Sequence, residues 1–332
     1  ITFRYNASDP DGLGTLKQAY LKANDGDWHE IDFKQKLISL VPENPMIEGI
    51  GNAKVYYGLN KEAEFTIDGF VNGGDNILQL KVTDIANSES TVDSAKSLFV
   101  RPQNSDLLVV GGHNYSITKE YEELVNDNYT AADFVDLAGN GGLNQPKFWD
   151  PSFRLLVDNY DKVFFHTEEG NFSNPLTGAD GALLDFAAPI IQHLIDSDKK
   201  VLISSAFATG VDLAVMGGVL SIDSFSPSKG QAFFTNDSFA VCTDANYPDL
   251  QPSNFLLATD PFYPAVDAEV FYNAQLTPSG VWQGPSCIAV RRKNSSGNVN
   301  FVLFTVELHS LDKNKADQNQ VISKILNEAF NW

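Results

Sequence analysis

Over the first hundred residues, apolar positions alternate with polar ones in short runs, and each run ends in turn-forming residues. In "NILQLKVTD" the apolar residues Ile77, Leu78, Leu80 and Val82 recur at a period close to two, which buries one face of a strand and leaves the other wet. "KQAYLKAND" and "WHEIDF" read as strands around an Asp25-Gly26-Asp27 turn. "NGGDNILQLKVTDIANSESTVDSAKSLFV" reads as two more around Ala86-Asn87-Ser88. About seven short strands in roughly 100 residues predict a β-sandwich. The Asp-rich "ASDPDGLGT" predicts a capped turn, with calcium binding by Asp9 and Asp11 as the alternative.

The pattern changes after "FVRPQNSD". "DLLVVGG" is a continuous apolar run ending in glycines, and "SITKEYEELVND" follows with Ile117, Tyr121, Leu124 and Val125 at helical spacing behind Ser116 or Thr118 as caps. "FVDLAG", "DKVFFHTEEG" and "KKVLISSA" read as further strands. "DPSFRLLVDNY", capped by Asp150 with Pro151 at its first position, and "DGALLDFAAPIIQHLIDSD" read as helices. Strands alternating with helices predict a parallel sheet covered on both faces. Towards the C-terminus "AEVFYNA" reads as a strand and "CIAVRRKNSSGNVNFVLFTVELH" as a hairpin turning at Asn294 to Gly297. "NQVISKILNEAFNW" closes the chain as a helix, so antiparallel strands are expected at one sheet edge. The expected organisation is a β domain over 1–102 and an α/β domain over 103–332.

Charge narrows the partners. The chain of 332 residues carries a net charge of −20, of which −5 belongs to residues 1–102 and −15 to the remainder. An acidic surface of this size repels nucleic-acid backbones and anionic membranes. No apolar stretch reaches the roughly 18 to 20 residues that span a bilayer. The chain starts at Ile1 rather than Met, as expected of a mature chain from which a signal peptide or lipid anchor has been removed. Cys242 and Cys287 are either a disulfide pair of an extracytoplasmic protein or two free thiols, and neither lies in a strand-to-helix turn.

Two resemblances give these elements names. "GDNILQLKVTDIANSES" resembles the penultimate hairpin of bacterial immunoglobulin-like modules. The succession "LLVVGGH", "DKVFFHTEEGN", "KKVLISSAFATG" and "VLFTVELHSLD" resembles the class I glutamine amidotransferase-like fold, in the branch with trehalose-utilisation-type and β-galactosidase-associated domains. The resemblance implies an immunoglobulin-like β-sandwich followed by a flavodoxin-like three-layer α/β domain with antiparallel edge strands. Catalytic relatives carry a Gly-x-Cys-x-Gly elbow after the strand matching "KVLIS". Here that stretch is Ser204-Ser205-Ala206-Phe207-Ala208, without Cys or flanking Gly, so the thiol route is not expected. The pairing of modules is similar to that of surface or secreted Bacteroidetes-type glycan-utilisation proteins. It implies an extracytoplasmic location, secreted or anchored as an outer-membrane lipoprotein, with an outer-membrane glycan importer as a partner.

In an open parallel sheet, ligands bind beyond the carboxyl ends of the strands. The residues there are His113; His166, Glu168 and Glu169; Ser204 and Ser205; and Glu307 and His309. Three chemistries can be built from them. Ser205 can be a nucleophile with His309 or His113 as its base and Glu168 as the orienting carboxylate. Glu168 and Glu307 can be a glycosidase carboxylate pair. His113, His166 and Glu168 can hold a metal. None of these has a motif of fixed spacing, so the expectation is a polar strand edge without a cofactor or a metal. A binding reading draws instead on loop aromatics, Trp149, Tyr247, Phe262, Tyr263 and Trp282, set among Pro, Gly, Asn and Asp as platforms for sugar faces. The leading expectation is a non-catalytic polysaccharide- or oligosaccharide-binding accessory protein. A hydrolase of carbohydrates or esters, and a structural spacer or protein-interaction module, are the alternatives.

Overall fold

The computed structural model describes residues 1–138, 151–168, 171–173, 180–207, 213–225, 232–257, 259–278 and 283–332. The chain forms two compact units, Ile1–Asn104 with Asp150–Asn159, and Ser105–Trp149 with Tyr160–Trp332. The protein is therefore multidomain, with β and α/β parts.

The smaller unit holds two four-stranded antiparallel sheets. One joins Thr2–Arg4, Leu37–Pro42, Gly49–Tyr57 and Lys61–Asn72, and the other joins His29–Ile31, Leu16–Ala23, Leu78–Asp84 and Asp93–Ser94. Their inward residues, among them Leu21, Ile38, Leu40, Val55, Ile67 and Phe70, share one core. Leu16–Ala23 buries alternate side chains, as its period of two requires. The helix Pro151–Val157 belongs to this unit and buries Phe153, Leu155 and Val157. Asp150, its expected cap, lies outside the described residues. The turns fall where their residues permit a left-handed backbone, with Asn24 at φ 49° and Asn87 at φ 63°. Asp9 Oδ1 accepts a hydrogen bond from Asp11 N at 2.8 Å, so this carboxylate caps its turn.

The larger unit is built on an eight-stranded mixed sheet. Its order is Asp133–Asp136, Leu107–Gly112, Lys162–Thr167, Lys200–Ser205, Val299–Phe304, Cys287–Lys293, Glu269–Ala274 and Ala240–Cys242. The first five strands are mutually parallel, and the pairings from Val299–Phe304 outward are antiparallel. Leu107–Gly112 and Lys162–Thr167 are buried at every position, which accounts for their unbroken apolar runs.

Successive residues of these strands face opposite sides. Leu107, Val109, Phe164, Leu202 and Val302 share a core with Tyr121, Leu124 and Val125 of the helix Tyr115–Asn126 and with Val321 and Ile322 of Lys315–Lys324. The helix Leu183–Asp196 packs against Lys200–Ser205. The first helix is capped by Asn114, whose side chain accepts from Ser116 N and Ile117 N, and not by Ser116 or Thr118. Asn114 sits one residue ahead of the helix, where a carbonyl oxygen can reach the first free N–H groups. Among the described residues no helix is long and apolar enough to cross a membrane.

Candidate functional site

The parallel strands run in the same direction, so the residues that follow them collect at one edge of the sheet. His113 follows Leu107–Gly112, His166 is the penultimate residue of Lys162–Thr167, and Ser204 and Ser205 end Lys200–Ser205. Glu307 begins and His309 occupies the 3-10 turn Leu308–Ser310, just beyond Val299–Phe304. The strand reached second in the chain lies on one side of the first and the third lies on the other, so connections diverge between Leu107–Gly112 and Lys162–Thr167. In sheets of this kind a switch point is where ligands bind. His113 and His166 lie at the ends of the two strands that flank it.

These side chains are bonded to one another. His113 Nδ1 and His166 Nδ1 are 2.9 Å apart, so one carries the shared proton and the other its lone pair. His113 Nε2 meets Glu307 Oε1 at 2.5 Å. The rings of His113 and His166 stack with centroids 5.1 Å apart, and His166 in turn stacks on Tyr121 at 4.1 Å. His309 meets His113 edge-on at 5.6 Å. His113 and His166 are buried, whereas the Glu307 side chain keeps 20% of its surface exposed.

A second layer fixes the turn that bears Glu307 and His309. Tyr121 Oη and Ser204 Oγ are 2.7 Å apart, and Leu308 N donates to Ser204 Oγ at 2.9 Å. Gln318 Nε2 donates to Leu308 O from the C-terminal helix. On the other side, Thr118 Oγ1 donates to His113 O. Glycines make room for this packing. A Cβ on Gly111 would lie 3.0 Å from His166 Cε1, and one on Gly112 would lie 2.3 Å from Leu183 Cδ1 and 2.7 Å from Thr167 Oγ1. The "GG" of the first strand is therefore a packing requirement of the site.

Burial, reinforced by His113 and His309, holds His166 well below the ordinary imidazole range, so it is neutral. Burial also lowers His309, against the pull of Glu307. Burial and the nearby Glu307 carboxylate raise the Tyr121 phenol, which stays protonated. His113, Glu307 and a ring nitrogen of His309 offer three ligand atoms within 4.8 Å of one another. An imidazole–carboxylate pair with a second imidazole beside it can take up, hold and return a proton, or hold a cation.

The expected residues divide accordingly. Glu307, His309, His113 and His166 come together. Ser205 does not join them, because its buried hydroxyl donates to Ala206 O at 2.7 Å and not to an imidazole, so the Ser–His–Glu arrangement is not formed. The side chain of Glu168 makes none of the cluster's bonds, so the ligand set is not His113–His166–Glu168. His166 instead supports His113. Glu169 lies outside the described residues.

The sugar-platform residues fare differently. Phe262 is not on a loop surface: it is fully buried, in a short strand Phe262–Pro264 paired with Ile222–Phe225. Tyr247 is packed edge-on against Phe271 at 4.9 Å and belongs to the rim of the core. Tyr263 is 43% exposed. Trp149 and Trp282 lie outside the described residues. Cys242 and Cys287 are free thiols and form no disulfide. They sit on strands separated by Glu269–Ala274, a spacing of two inter-strand steps, about 9.5 Å, which exceeds the reach of a disulfide.

Tyr121 and Ser204 are the residues that sequence reasoning missed as partners. Tyr121 reads as part of an apolar helix face, and its signal was the hydroxyl, which a buried position obliges to find a partner.

Comparison with known proteins adds little. No protein-family model matches the chain, and no curated protein matches it. Among solved structures, an exo-beta-1,4-mannosidase from an Opitutaceae bacterium (strain TAV5) aligns over 66% of this chain at 10% identity, with a TM-score of 0.33. The chain spans about a third, 35%, of that structure's length.

Proposed function

We propose that the larger unit is a hydrolase domain acting on a carbohydrate or ester ligand in the strand-end crevice, within an extracytoplasmic protein of polysaccharide utilisation. The observation that carries this reading is the cluster beside the switch point of the sheet, in which His113 is bonded to His166 and Glu307 and His309 packs edge-on against His113. Burying several titratable side chains together costs folding free energy, and a sheet of this kind needs none of them for its own hydrogen bonds. Their concentration in a crevice is what a site of chemistry requires. In this reading the larger unit is a flavodoxin-like, amidotransferase-like domain whose thiol elbow is absent. The smaller unit is its immunoglobulin-like companion, and an outer-membrane glycan importer is a partner of the secreted or surface-anchored protein.

The test is product release from a panel of polysaccharides and nitrophenyl esters by the full chain. Turnover abolished by Glu307→Gln and by His113→Asn is the expected result. The exposed Tyr263 supports a second reading, glycan retention without turnover. An affinity gel that retards the protein, with retardation lost in Tyr263→Ala and no product formed, would replace the first reading with the second. Neither product nor retardation across the panel would leave the protein as a spacer or interaction module.

A further inference from the structure

The cluster has a feature that a hydrogen-bonded network alone does not explain. His309 lies mostly buried beside His113 and Glu307, yet among the described residues its ring nitrogens reach only Tyr121 Oη and Ser310 Oγ, both at 3.4 Å. These are at the long limit of hydrogen bonding. An imidazole nitrogen with a lone pair has thus been brought next to a carboxylate and another imidazole without a firm partner of its own.

We propose that His113 Nε2, a Glu307 carboxylate oxygen and a ring nitrogen of His309 are the protein ligands of a divalent transition metal of the zinc type, oriented by His166. Bonds of 2.0–2.1 Å to a tetrahedral zinc set neighbouring ligand atoms about 3.3 Å apart. The three atoms here bracket that value, from 2.5 Å between His113 and Glu307 to no more than 4.8 Å overall. Glu307 stands partly exposed at the head of a short turn, so its carboxylate can swing outward by the ångström or so required.

The proton inventory also closes. Without metal, His166 Nδ1–H donates to His113 Nδ1, and His113 Nε2–H donates to Glu307. With metal, the cation replaces the proton on Nε2, which leaves to solvent. The proton shared with His166 then moves to His113 Nδ1, and His166 takes up one proton from solvent at Nε2, so both rings stay neutral and the proton count is unchanged. A neutral, buried acceptor behind a ligating histidine is the usual means of fixing its ring and tautomer. Three protein ligands leave a fourth position for water or a substrate oxygen, as catalytic zinc sites do. The inference deepens the hydrolase reading and rests on the same side chains.

The experiment loads the EDTA-treated full chain with zinc alone, followed by gel filtration, metal analysis and calorimetric titration. One equivalent of zinc per chain should be retained. His309→Ala and Glu307→Gln should each weaken binding at least 100-fold, and His166→Asn by about 10- to 100-fold. His29→Ala, which alters a histidine of the smaller unit, should bind as the parent does. Circular dichroism of each variant separates lost ligands from lost fold. Cobalt(II) added to the unaltered chain should give the intense visible absorption of a tetrahedral site, a readout that needs no variant. No retained zinc, a cobalt spectrum of octahedral intensity, or unchanged affinity in both ligand variants would overturn the proposal. Zinc bound without turnover would sink the hydrolase reading and leave the metal site standing. Turnover by a chain that retains no zinc would do the reverse.

Discussion

Ser204→Ala tests whether the turn carrying Glu307 and His309 is pinned to the sheet by a single hydroxyl. Ser204 is fully buried, and its Oγ serves two partners, Tyr121 Oη at 2.7 Å and Leu308 N at 2.9 Å. Alanine leaves both without that bond. The Leu308 N–H then has only the neighbouring Tyr121 hydroxyl to turn to among the described residues, and Tyr121 keeps its 3.4 Å contacts with His309. A buried donor left unpaired costs about 1–3 kcal/mol, and because the two groups can partly satisfy each other the expected loss is about 1–3 kcal/mol. The space vacated by one hydroxyl is smaller than the roughly 30 Å³ that a water occupies, so solvent cannot restore the bonds cheaply. Urea unfolding monitored by circular dichroism measures the loss, and Tyr121→Phe should couple to it in a double-mutant cycle because the two side chains share a bond. A loss below about 0.5 kcal/mol, the range of an ordinary surface substitution, would refute the pinning argument.

Three further outcomes follow from other parts of the molecule. Gly112→Ala forces a Cβ into Leu183 and Thr167 and should lower stability by about 1–3 kcal/mol in thermal unfolding, whereas Gly218→Ala, with open space around its Cβ, should not destabilise. Asp244 accepts from Arg291 at 2.8 Å, and this bond holds its carboxyl below the usual range. Its contribution is therefore complete above the ordinary value of about 3.9 and is lost as pH falls through the lower folded value, so the stability gap between parent and Asp244→Asn should narrow from neutral pH to about pH 3. Burial pushes the Cys287 thiol up to about 12 and also raises Cys242, so a thiol reagent should react slowly with the folded protein and find two thiols after unfolding; a mass two daltons short of the dithiol would contradict this.

The strand edge was legible because strand polarity is legible. Apolar runs ending in or just before His113, His166, Ser204 and Glu307 leave little freedom about which residues gather at the carboxyl ends. Which of them touch depends on lateral strand order, and period and composition do not encode that order. Hence Glu307 could be named while its partner could not, since Val299–Phe304 had first to be inserted beside Lys200–Ser205. Ser205 looked as well placed as Ser204, but adjacent residues of a strand face opposite sides, and only Ser204 faces the helix that carries Tyr121. Phe262 misled for a local reason. Flanked by Pro261 and Pro264, it reads as loop, but its three-residue strand is held by Ile222–Phe225 and its ring by the core.

His113 and Glu307 meet at a sequence separation of 194, and the strand that delivers Glu307 is the last of the sheet to be synthesised. At translation speeds of about 5–20 residues per second, a nascent chain that has emitted His113 waits roughly 10–40 s for its counterpart. During that interval Lys200–Ser205, once made, presents an unpaired edge where Val299–Phe304 will dock, a template for mispairing with another chain. Completion of the centre and closure of that edge are one event. A ribosome that stalls before the final strand therefore releases a polypeptide that is both inert and prone to aggregate.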